Sequence, residues 1–471
     1  MIYQSTRDHR LQAASTRAVL EGIAPDGGLY MLDHMEALDF DWRALLEMDT
    51  MSMSAAILSA LLPEFRDMPG LVKAGYTGKF ETEELTPTVP VGERHVLELF
   101  RGPTSAFKDV ALSLLPRLIT AAKEAQGMAG DVVILTATSG DTGKAALEGF
   151  HDVPGTKIIV FYPHGGVSPV QQAQMTTQEG GNVCVCAVRG NFDDAQTGVK
   201  EIFAACAGRD LGGAPLSSAN SINIGRLAPQ IVYYFQSYAD LVKAGRIKAG
   251  QPVHFVVPTG NFGDILAGYF AKLLGLPVGK LVCASNANNV LTDFIKTGVY
   301  DRRRPFHKTT SPSMDILVSS NLERLLYLLS GCDNEYVADL MRDLKEKGVY
   351  RINETLLTSS MPSSPAAAPM TKPPPTPSRP SGASRAISWI PTPPWPGASV
   401  SSLWRSGRTT RRWWCSPPPR PISSPPPSSP PWARPPMRTN LPPSTSSTPS
   451  PAWPSPGIWP RCATCRCATA M

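Results

Sequence analysis

The sequence predicts an α/β fold in which mostly parallel strands are covered by helices on both faces of the sheet. From about residue 81 onward, short strand-like segments alternate with segments whose apolar residues recur at helical spacing. The strand-like segments are apolar throughout, which is typical of buried parallel sheets. Glycine-rich turns follow two of them. Since ligands of such folds bind beyond the carboxyl ends of the strands, we expect the functional site at these turns.

Five segments carry the strand pattern, and three segments between them carry the helical pattern. The predicted strands lie within residues 131–140, 156–163, 182–188, 252–260 and 280–285, and the predicted helices span 141–150, 193–207 and 228–244. Residues 1–80 contain shorter helical patterns around the turn PDGGLY at 25–30. We therefore expect a small N-terminal domain over 1–80 and a larger α/β domain over 81–358.

Composition divides the 471-residue chain into two unlike parts. Residues 359–471 contain 30 of the 47 prolines and eight of the nine tryptophans, but no aspartate or glutamate. Their formal charge is +12, whereas residues 1–358 carry −6. The overall formal charge of +6 therefore describes neither part.

The first 358 residues have the features expected of a cytoplasmic protein. The amino-terminal sequence MIYQSTRDHRLQ lacks the apolar core of a signal peptide, and no apolar run is long enough for a membrane span. The five cysteines of this part have neither disulfide nor zinc spacing, so we expect buried free thiols and no metal site. We expect a small-molecule substrate and neither a nucleic-acid nor a membrane partner. The sequence does not predict the oligomeric state.

A lysine stands at the predicted start of a helix in FRGPTSAFKDVALSLL, residues 100–115. The helix dipole favours anions at this end, so Lys108 is poorly placed for helix stability. The ordinary alternative is a solvated surface lysine, which is the commonest kind. Two further segments of the sequence favour a chemical role for Lys108.

Two glycine-rich loops follow predicted strands. TATSGDTGK at 136–144 supplies several hydroxyl groups, and PTGNFGD at 258–264 supplies small residues whose backbone N–H groups can converge on an anion. The alternative for either loop is an ordinary tight turn, because glycine is common there. A Walker phosphate loop is excluded because Thr138 and Ala145 occupy positions where that motif needs glycine and a hydroxyl residue.

A lysine, a hydroxyl-rich loop and an anion-binding loop together suit pyridoxal 5'-phosphate. This cofactor needs a lysine amine for a Schiff base, a backbone cradle for its phosphate and donors for a substrate carboxylate. A lysine shielded from water has a lowered pKa, which allows its amine to attack an aldehyde. We therefore predict that Lys108 carries the cofactor.

These segments resemble the threonine synthase family, within the fold-type II, tryptophan synthase β-like enzymes. The resemblance covers about residues 1–355. The matching stretches are STR (5–7), GIAPDGGLY (22–30), LELFRGPTSAFKD (97–109), ATSGDTG (137–143), SSANSINIGRLAPQ (217–230), PTGNFGD (258–264) and SPSMDILVSSNLERLLY (311–327). The resemblance implies that 1–80 form the family's N-terminal domain and 81–358 its pyridoxal-phosphate-binding domain without the C-terminal part.

The resemblance also implies roles for individual residues. Lys108 is expected to form the Schiff base and to move protons. The residues expected to bind the cofactor phosphate are Gly260, Asn261, Phe262 and Gly263. The residues expected to bind substrate are Thr138, Ser139, Gly140, Asp141 and Thr142 in the first loop, with Asn223 and Arg226 further along the chain. For Arg226, a structural ion pair is an equal alternative to binding the substrate phosphate. Arg101 stands where the family is expected to have histidine.

The implied reaction converts O-phospho-L-homoserine and water to L-threonine and phosphate, which makes the protein a carbon–oxygen lyase acting on phosphate. One alternative is a related fold-type II lyase, such as a threonine dehydratase or a phospholyase. A second alternative, from a different class, is an inactive binding or regulatory protein with a basic, proline-rich tail.

The composition of residues 359–471 predicts a segment without a packed core, produced by a shift of reading frame near Thr358. Eight tryptophans are unusual for a natural disordered tail, as is the complete lack of acidic residues. Back-translation of WIPTPPWP (389–396) in a shifted frame allows Asp-Pro-His-Thr-Ala-Val-Ala, which resembles the carboxyl part of threonine synthases. WWCSPPPRPISSP (413–425) allows a Ser-Thr-Ala segment in the same frame, expected at the cofactor's pyridine nitrogen. The cysteine cluster at 462–467 is then accidental.

Overall fold

The computed structural model describes residues 2–32, 35, 38, 40–206, 214–309, 311–360 and 385–388. The predicted proline-rich tail therefore lies outside the described residues, except for 359–360 and 385–388. No helix among the described residues is long and apolar enough to span a membrane.

The amino-terminal residues form a small antiparallel sheet and several helices. These elements are β1 (Tyr3–Ser5), β2 (Gln12–Ala13), α1 (Ser15–Glu21), β3 (Tyr30–Met31), α2 (Trp42–Leu45), α3 (Thr50–Leu61) and α4 (Met68–Tyr76). Strand β1 is central and pairs with β2 and β3. Helix α3 begins at Thr50 because the Asp49 carboxylate accepts hydrogen bonds from the backbone N–H groups of Met51 and Ser52.

A hairpin and a long buried helix follow. The hairpin consists of β4 (Thr88–Val91) and β5 (Arg94–Leu97), and the helix is α5 (Asp109–Ala125). Both α1 and α4 pack against α5. One hydrophobic core contains residues of the amino-terminal elements together with residues of α5. The expected domain boundary near residue 80 stays a prediction.

The central part of the chain alternates between strand and helix. Its elements are β6 (Val132–Ala137), α6 (Asp141–Phe150), β7 (Thr156–Pro163), α7 (Pro169–Thr176), β8 (Val183–Val188), α8 (Phe192–Cys206), β9 (Leu216–Ser218), α9 (Ile224–Leu227) and α10 (Pro229–Lys243). The four strands form a parallel sheet in the order β8-β7-β6-β9. The predicted parallel arrangement is confirmed.

A second sheet and the last helices complete the described chain. The elements are β10 (Val253–Pro258), α11 (Gly263–Leu273), β11 (Val278–Ser285), α12 (Val290–Thr297), β12 (Val299–Asp301), a 3-10 turn (Pro312–Met314), α13 (Leu322–Leu329), α14 (Asn334–Glu346), β13 (Val349–Arg351), α15 (Glu354–Ser360) and β14 (Arg385–Ser388). Strands β10 and β11 are parallel, and β14 pairs with β11 in the antiparallel sense. Strands β12 and β13 form an antiparallel pair.

Both faces of the four-stranded sheet are covered. On β6, Leu135 and Ala137 pack against Ala195 and Val199 of α8. Ile134 points to the opposite face and belongs to the main core. This alternation follows from the two-residue period of a strand, and it confirms the covered sheet that the sequence predicts.

Two expectations about the chain require correction. Residues Arg385–Ser388, which the sequence places in a segment without packed structure, form β14 and hydrogen-bond to β11. This stretch contains no proline, so every residue in it can donate to a strand ladder. Of the five described cysteines, which the sequence predicts to be buried, only Cys186 and Cys283 are; Cys206 and Cys332 are half-buried, and Cys184, on the edge strand β8, is exposed.

Candidate active site

Lys108 lies immediately before helix α5, and only 7% of its surface is exposed. Asp109, the next residue, organises the turn that precedes α5. Its carboxylate accepts hydrogen bonds from the backbone N–H of Thr104 at 2.8 Å and from the Thr104 hydroxyl at 2.6 Å. This carboxylate also suits the positive end of the helix dipole. Gly102 is required here, because a Cβ atom on it would lie 2.5 Å from that of Asp109.

The amine of Lys108 is held in a state unlike that of a surface lysine. Burial lowers its pKa from 10.5 to about 8. The charge of Asp141 raises this pKa, whereas Arg226 and Lys144 lower it. The Nζ atom also lies 5.2 Å from the ring centre of Phe107, the aromatic neighbour in the sequence.

Asp141, the first residue of α6, connects the hydroxyl-rich loop with Lys108. Its Oδ2 atom lies 3.5 Å from the Nζ atom of Lys108 and accepts a hydrogen bond from the Ser313 hydroxyl. Its Oδ1 atom accepts a bond of 2.8 Å from the Gln171 amide and lies 3.4 Å from the Nζ atom of Lys144. Burial raises the pKa of Asp141, but the charges of Lys108 and Lys144 and the hydrogen bonds from Gln171 and Lys144 together hold the pKa below its usual value.

The loop after β6 is organised by one threonine. The Thr138 hydroxyl accepts hydrogen bonds from the backbone N–H groups of Gly140 at 2.9 Å and Gly143 at 2.8 Å. Gly140 has a φ of 129°, and a Cβ atom there would lie 2.4 Å from the Gln171 side chain. The hydroxyl group of Thr138 therefore shapes the start of α6, whereas the sequence predicts that it contacts substrate.

The loop after β10 leads directly into helix α11, so the first backbone N–H groups of that helix lie at the end of the loop. Phe262 has the left-handed φ of 65°, and the helix begins at the next residue, Gly263. The Ser319 hydroxyl donates to the carbonyl of Gly260 at 2.8 Å, and the N–H of Asn321 donates to the carbonyl of Asn261 at 3.1 Å. A helix start that also presents glycines suits an anion, and binding of the cofactor phosphate at this loop stays a prediction.

Arg226 is a buried cation without a carboxylate partner among the described residues. Its Nη1 atom donates to the carbonyl of Ala219 at 2.7 Å, and its Nη2 atom lies 3.5 Å from the Thr142 hydroxyl. Burial lowers its pKa to about 10. Within the described chain the structural ion pair considered for Arg226 is not formed.

Asn223 has a structural role that the sequence does not predict. Its side-chain nitrogen donates to the carbonyl of Val19 at 2.9 Å and to that of Ser218 at 3.0 Å, while its oxygen accepts from the N–H of Gly225. The two amide hydrogens therefore join α1 to β9, and the amide oxygen joins them to α9. This arrangement leaves no amide hydrogen for the predicted contact with substrate.

Arg101, which departs from the residue expected for the family, pairs with two glutamates. It contacts Glu98 at 2.5 Å and Glu81 at 2.8 Å. Arg101 is thus held by two carboxylates, and the assignment of Lys108 does not depend on it.

Two unpaired donor atoms of the site suit an anionic, oxygen-rich ligand, and one unpaired acceptor suits a donor group of a ligand. Among the described residues, the Nε atom of Arg226, the Oδ1 atom of Asn261 and the Nδ2 atom of Asn321 are buried without a hydrogen-bond partner. Buried polar groups of folded proteins are almost always paired. The residues present therefore fit a phosphorylated aldehyde held between Lys108 and the start of α11.

Several residues at this site were not singled out by the sequence. Ser313 and Asn321 lie in the segment SPSMDILVSSNLERLLY, which carries the resemblance without suggesting a role for either side chain. Lys144 is buried beside Asp141, three residues later in α6. That spacing is the one signal in the sequence that places the two side chains on the same helix face.

Comparison with known proteins identifies the family. Residues 86–350 match the family of pyridoxal-phosphate dependent enzymes, and residues 2–69 match the threonine synthase N terminus. Threonine synthase of Saccharomyces cerevisiae is 38% identical over 385 residues, which are 76% of this chain and 73% of the yeast protein. The crystal structure of a PLP-bound threonine synthase from Brucella melitensis superposes with a TM-score of 0.66 at 40% identity, covering 76% of each chain.

A longer relative is also similar. Threonine synthase-like 1 of Pongo abelii is 39% identical over 367 residues, which are 73% of this chain. The chain spans only 48% of the length of that relative. From the matched regions and the identities above, the chain belongs to the threonine synthase family of pyridoxal-phosphate dependent enzymes.

Proposed function

We propose that this chain is a threonine synthase, which converts O-phospho-L-homoserine and water to L-threonine and phosphate with pyridoxal 5'-phosphate bound to Lys108. The observation that carries the proposal is the buried Lys108 amine, 3.5 Å from the carboxylate of Asp141, the residue of the hydroxyl-rich loop at which α6 begins. Residues Gly260, Asn261, Phe262 and Gly263 are proposed to hold the cofactor phosphate at the start of α11.

The lowered pKa of Lys108 supports its part in the reaction. At pH 7, a lysine with a pKa of about 8 is neutral in about one molecule in ten, which is about 300 times the fraction expected for an unperturbed lysine. A neutral amine attacks an aldehyde carbon, and the same nitrogen accepts and returns protons. The chemistry that bound pyridoxal phosphate supplies is the withdrawal of electrons from the substrate's α-carbon.

The charges around Lys108 support a doubly anionic substrate. Lys144 and Arg226 are buried near Lys108, so three basic side chains lie close to one carboxylate, that of Asp141. We propose that Arg226 binds the substrate phosphate, because a guanidinium can donate two parallel hydrogen bonds to phosphate. Its unpaired Nε atom supports this role.

The loop that begins α6 is proposed to bind the substrate carboxylate. Ser139 is half-buried, and the Thr142 hydroxyl lies beside Arg226. Gly140 and Asp141 complete this loop, and Thr138 holds its shape from inside. A carboxylate at a helix start is favoured by the dipole and by free N–H groups.

The experiment that tests the function compares two substrates on the full chain. We expect threonine and inorganic phosphate to form in equal amounts from O-phosphohomoserine, with no breakdown of threonine. Conversion of threonine to a 2-oxo acid and ammonia would favour a dehydratase. A chain without visible cofactor absorbance but with salt-dependent nucleic-acid binding would favour the binding protein.

We also propose a cytoplasmic location. The support is that Cys206 and Cys283 are free thiols, which is the expected state in a reducing compartment.

A further inference from the structure

The residues before α13 lie against the residues before α11. The hydrogen bonds from Ser319 and from the backbone of Asn321 hold the segment 319–321 on the glycine-rich loop. A Cβ atom added at Gly263 would lie 3.5 Å from the Nδ2 atom of Asn321, which is the nearest atom to that point. The side-chain nitrogen of Asn321 therefore faces the first residue of α11.

The orientation of the Asn321 amide follows from its neighbour. The Nη1 atom of Arg324 donates to the Oδ1 atom of Asn321 at 2.5 Å. A guanidinium has only donors, so the atom that faces it must be the amide oxygen. The NH₂ group consequently points away from Arg324. Asn321 is 0% exposed, and its Nδ2 atom has no hydrogen-bond partner among the described residues.

Arg324 adds a positive charge behind this amide. Its other hydrogen bonds go to the carbonyl oxygens of Tyr30, Ser221 and Ile222. The neighbouring carboxylate of Glu323 is hydrogen-bonded to Arg7 and Thr6 rather than to Arg324. Burial lowers the pKa of Arg324 to about 10, which leaves the guanidinium protonated at neutral pH.

A hydrogen bond from a cation polarises the amide that accepts it. The Arg324 bond draws electron density toward Oδ1 of Asn321, which makes the N–H groups of the same amide stronger donors. Residues 258–264 supply backbone donors at the same place, and the dipole of α11 favours a negative charge there. The free donor thus points where an anion is already favoured.

We propose that Asn321 donates a hydrogen bond to the phosphate group of pyridoxal phosphate and that Arg324 is the positioning residue that aims and polarises it. This inference rests on the proposed function, because it assigns a further ligand at the same cofactor site. The cofactor phosphate is chosen over the substrate phosphate because Asn321 faces Gly263 of the cofactor-phosphate loop, whereas Arg226 lies beside the loop that begins α6.

Asn321→Asp tests the proposal with almost no change in shape. The aspartate keeps an acceptor for Arg324 but replaces the free donor with an oxygen that repels phosphate. We expect the affinity of the full chain for pyridoxal phosphate to fall about 10- to 100-fold. The affinity for pyridoxal, which lacks the phosphate, should stay within about twofold of wild type. Absorbance and tryptophan fluorescence titrations measure both without any turnover.

Asn334→Asp is the matched control. Asn334 is also a buried asparagine, and its amide donates to the carbonyl of Ser5 at 2.7 Å. This variant should lower thermal stability but should not change the affinity for pyridoxal phosphate relative to the affinity for pyridoxal. If Asn321→Asp does not fold, Asn321→Ser serves instead, because the shorter neutral side chain cannot reach the phosphate. Asn321→Ser should weaken pyridoxal phosphate binding by about 10-fold and leave pyridoxal binding unchanged.

Three other outcomes of these titrations and assays would contradict the role proposed for Asn321. Equal loss of both affinities would make Asn321 a structural residue and overturn the proposal. Unchanged cofactor binding with a raised KM for O-phosphohomoserine would assign the donor to the substrate phosphate and also overturn it. A wild-type chain that binds neither pyridoxal nor pyridoxal phosphate would overturn the proposed function, and this inference with it.

Discussion

The Nζ atom of Lys108 and the Oδ2 atom of Asp141 lie 3.5 Å apart, and both side chains are about nine-tenths buried. The two residues come from the starts of different helices, α5 and α6. Burial lowers the pKa of the lysine, and the carboxylate opposes this effect by stabilising the ammonium form. Burial of Lys108 and its distance from Asp141 therefore together influence the fraction of neutral amine at a given pH.

Replacing Asp141 with asparagine should lower the pKa of Lys108 below about 8. The amide has no charge to stabilise the ammonium form, so the lysine loses its proton at a lower pH. Since only the neutral amine attacks an aldehyde, capture of pyridoxal at pH 7 should become about three to ten times faster. The midpoint of the capture rate against pH measures the effect and should move toward acid.

Lys144→Met is the matched control, and it should shift the pKa of Lys108 in the opposite direction. The charge of Lys144 lowers the pKa of Lys108, so its removal should move the same midpoint toward alkaline pH. Movement of both midpoints in one direction would mean that altered packing rather than charge controls the amine.

Lys108→Ala should abolish visible cofactor absorbance and threonine formation. No other amine is expected to form the covalent bond, while helix α5 keeps its Asp109 contacts and its buried apolar face. The thermal midpoint should therefore change by less than about 5 °C. Borohydride reduction followed by peptide mapping locates any remaining covalent cofactor, with the exposed Lys248→Ala as control. Labelling of another lysine in Lys108→Ala would disprove the assignment.

Gly263→Val should weaken binding of pyridoxal phosphate more than it lowers the stability of the folded chain. A Cβ atom at Gly263 lies 3.5 Å from its nearest neighbour, so the protein itself has room for it. The proposed phosphate would approach the same place. Titration of the cofactor and thermal unfolding of the cofactor-free chain separate the two effects.

Gly260→Ala is the contrasting change in the same loop. Its Cβ atom would lie 2.6 Å from the backbone carbonyl of Ser313, which cannot turn aside as a flexible side chain can. We expect a loss of about 1–3 kcal/mol in the free energy of unfolding. Unchanged cofactor affinity in Gly263→Val would mean that the loop is an ordinary turn.

Local patterns in the sequence account for the strands and for the position of Lys108, but long-range contacts do not follow from them. The apolar segment at 131–140 contains β6, because a strand buried on both faces needs apolar residues throughout. The contact of Lys108 with Ser313 spans 205 residues, and no local pattern predicts it. For Thr138 and Asn223, the residue type is the same for a ligand and for a structural hydrogen bond, so their structural contacts could not be told from binding in advance.

Restoring the shifted reading frame near residue 358 should yield a more stable and more active enzyme. Among the described residues, the sheet of β10 and β11 gains only the four-residue strand β14, whereas the sheet containing β6 has four strands. Back-translation in the shifted frame allows segments that resemble the family's carboxyl part, including the Ser-Thr-Ala segment expected to supply a hydroxyl at the pyridine nitrogen. The restored chain should therefore bind the cofactor more tightly and unfold at a higher temperature. It should also form threonine at least about tenfold faster, because that hydroxyl and the missing elements act on the reacting centre. Resequencing the codons for residues 350–365 checks the gene, and steady-state assays of both chains check the enzyme. A native gene without a shift, together with equal activity of the two chains, would refute the frameshift and leave the family assignment of residues 86–350 intact.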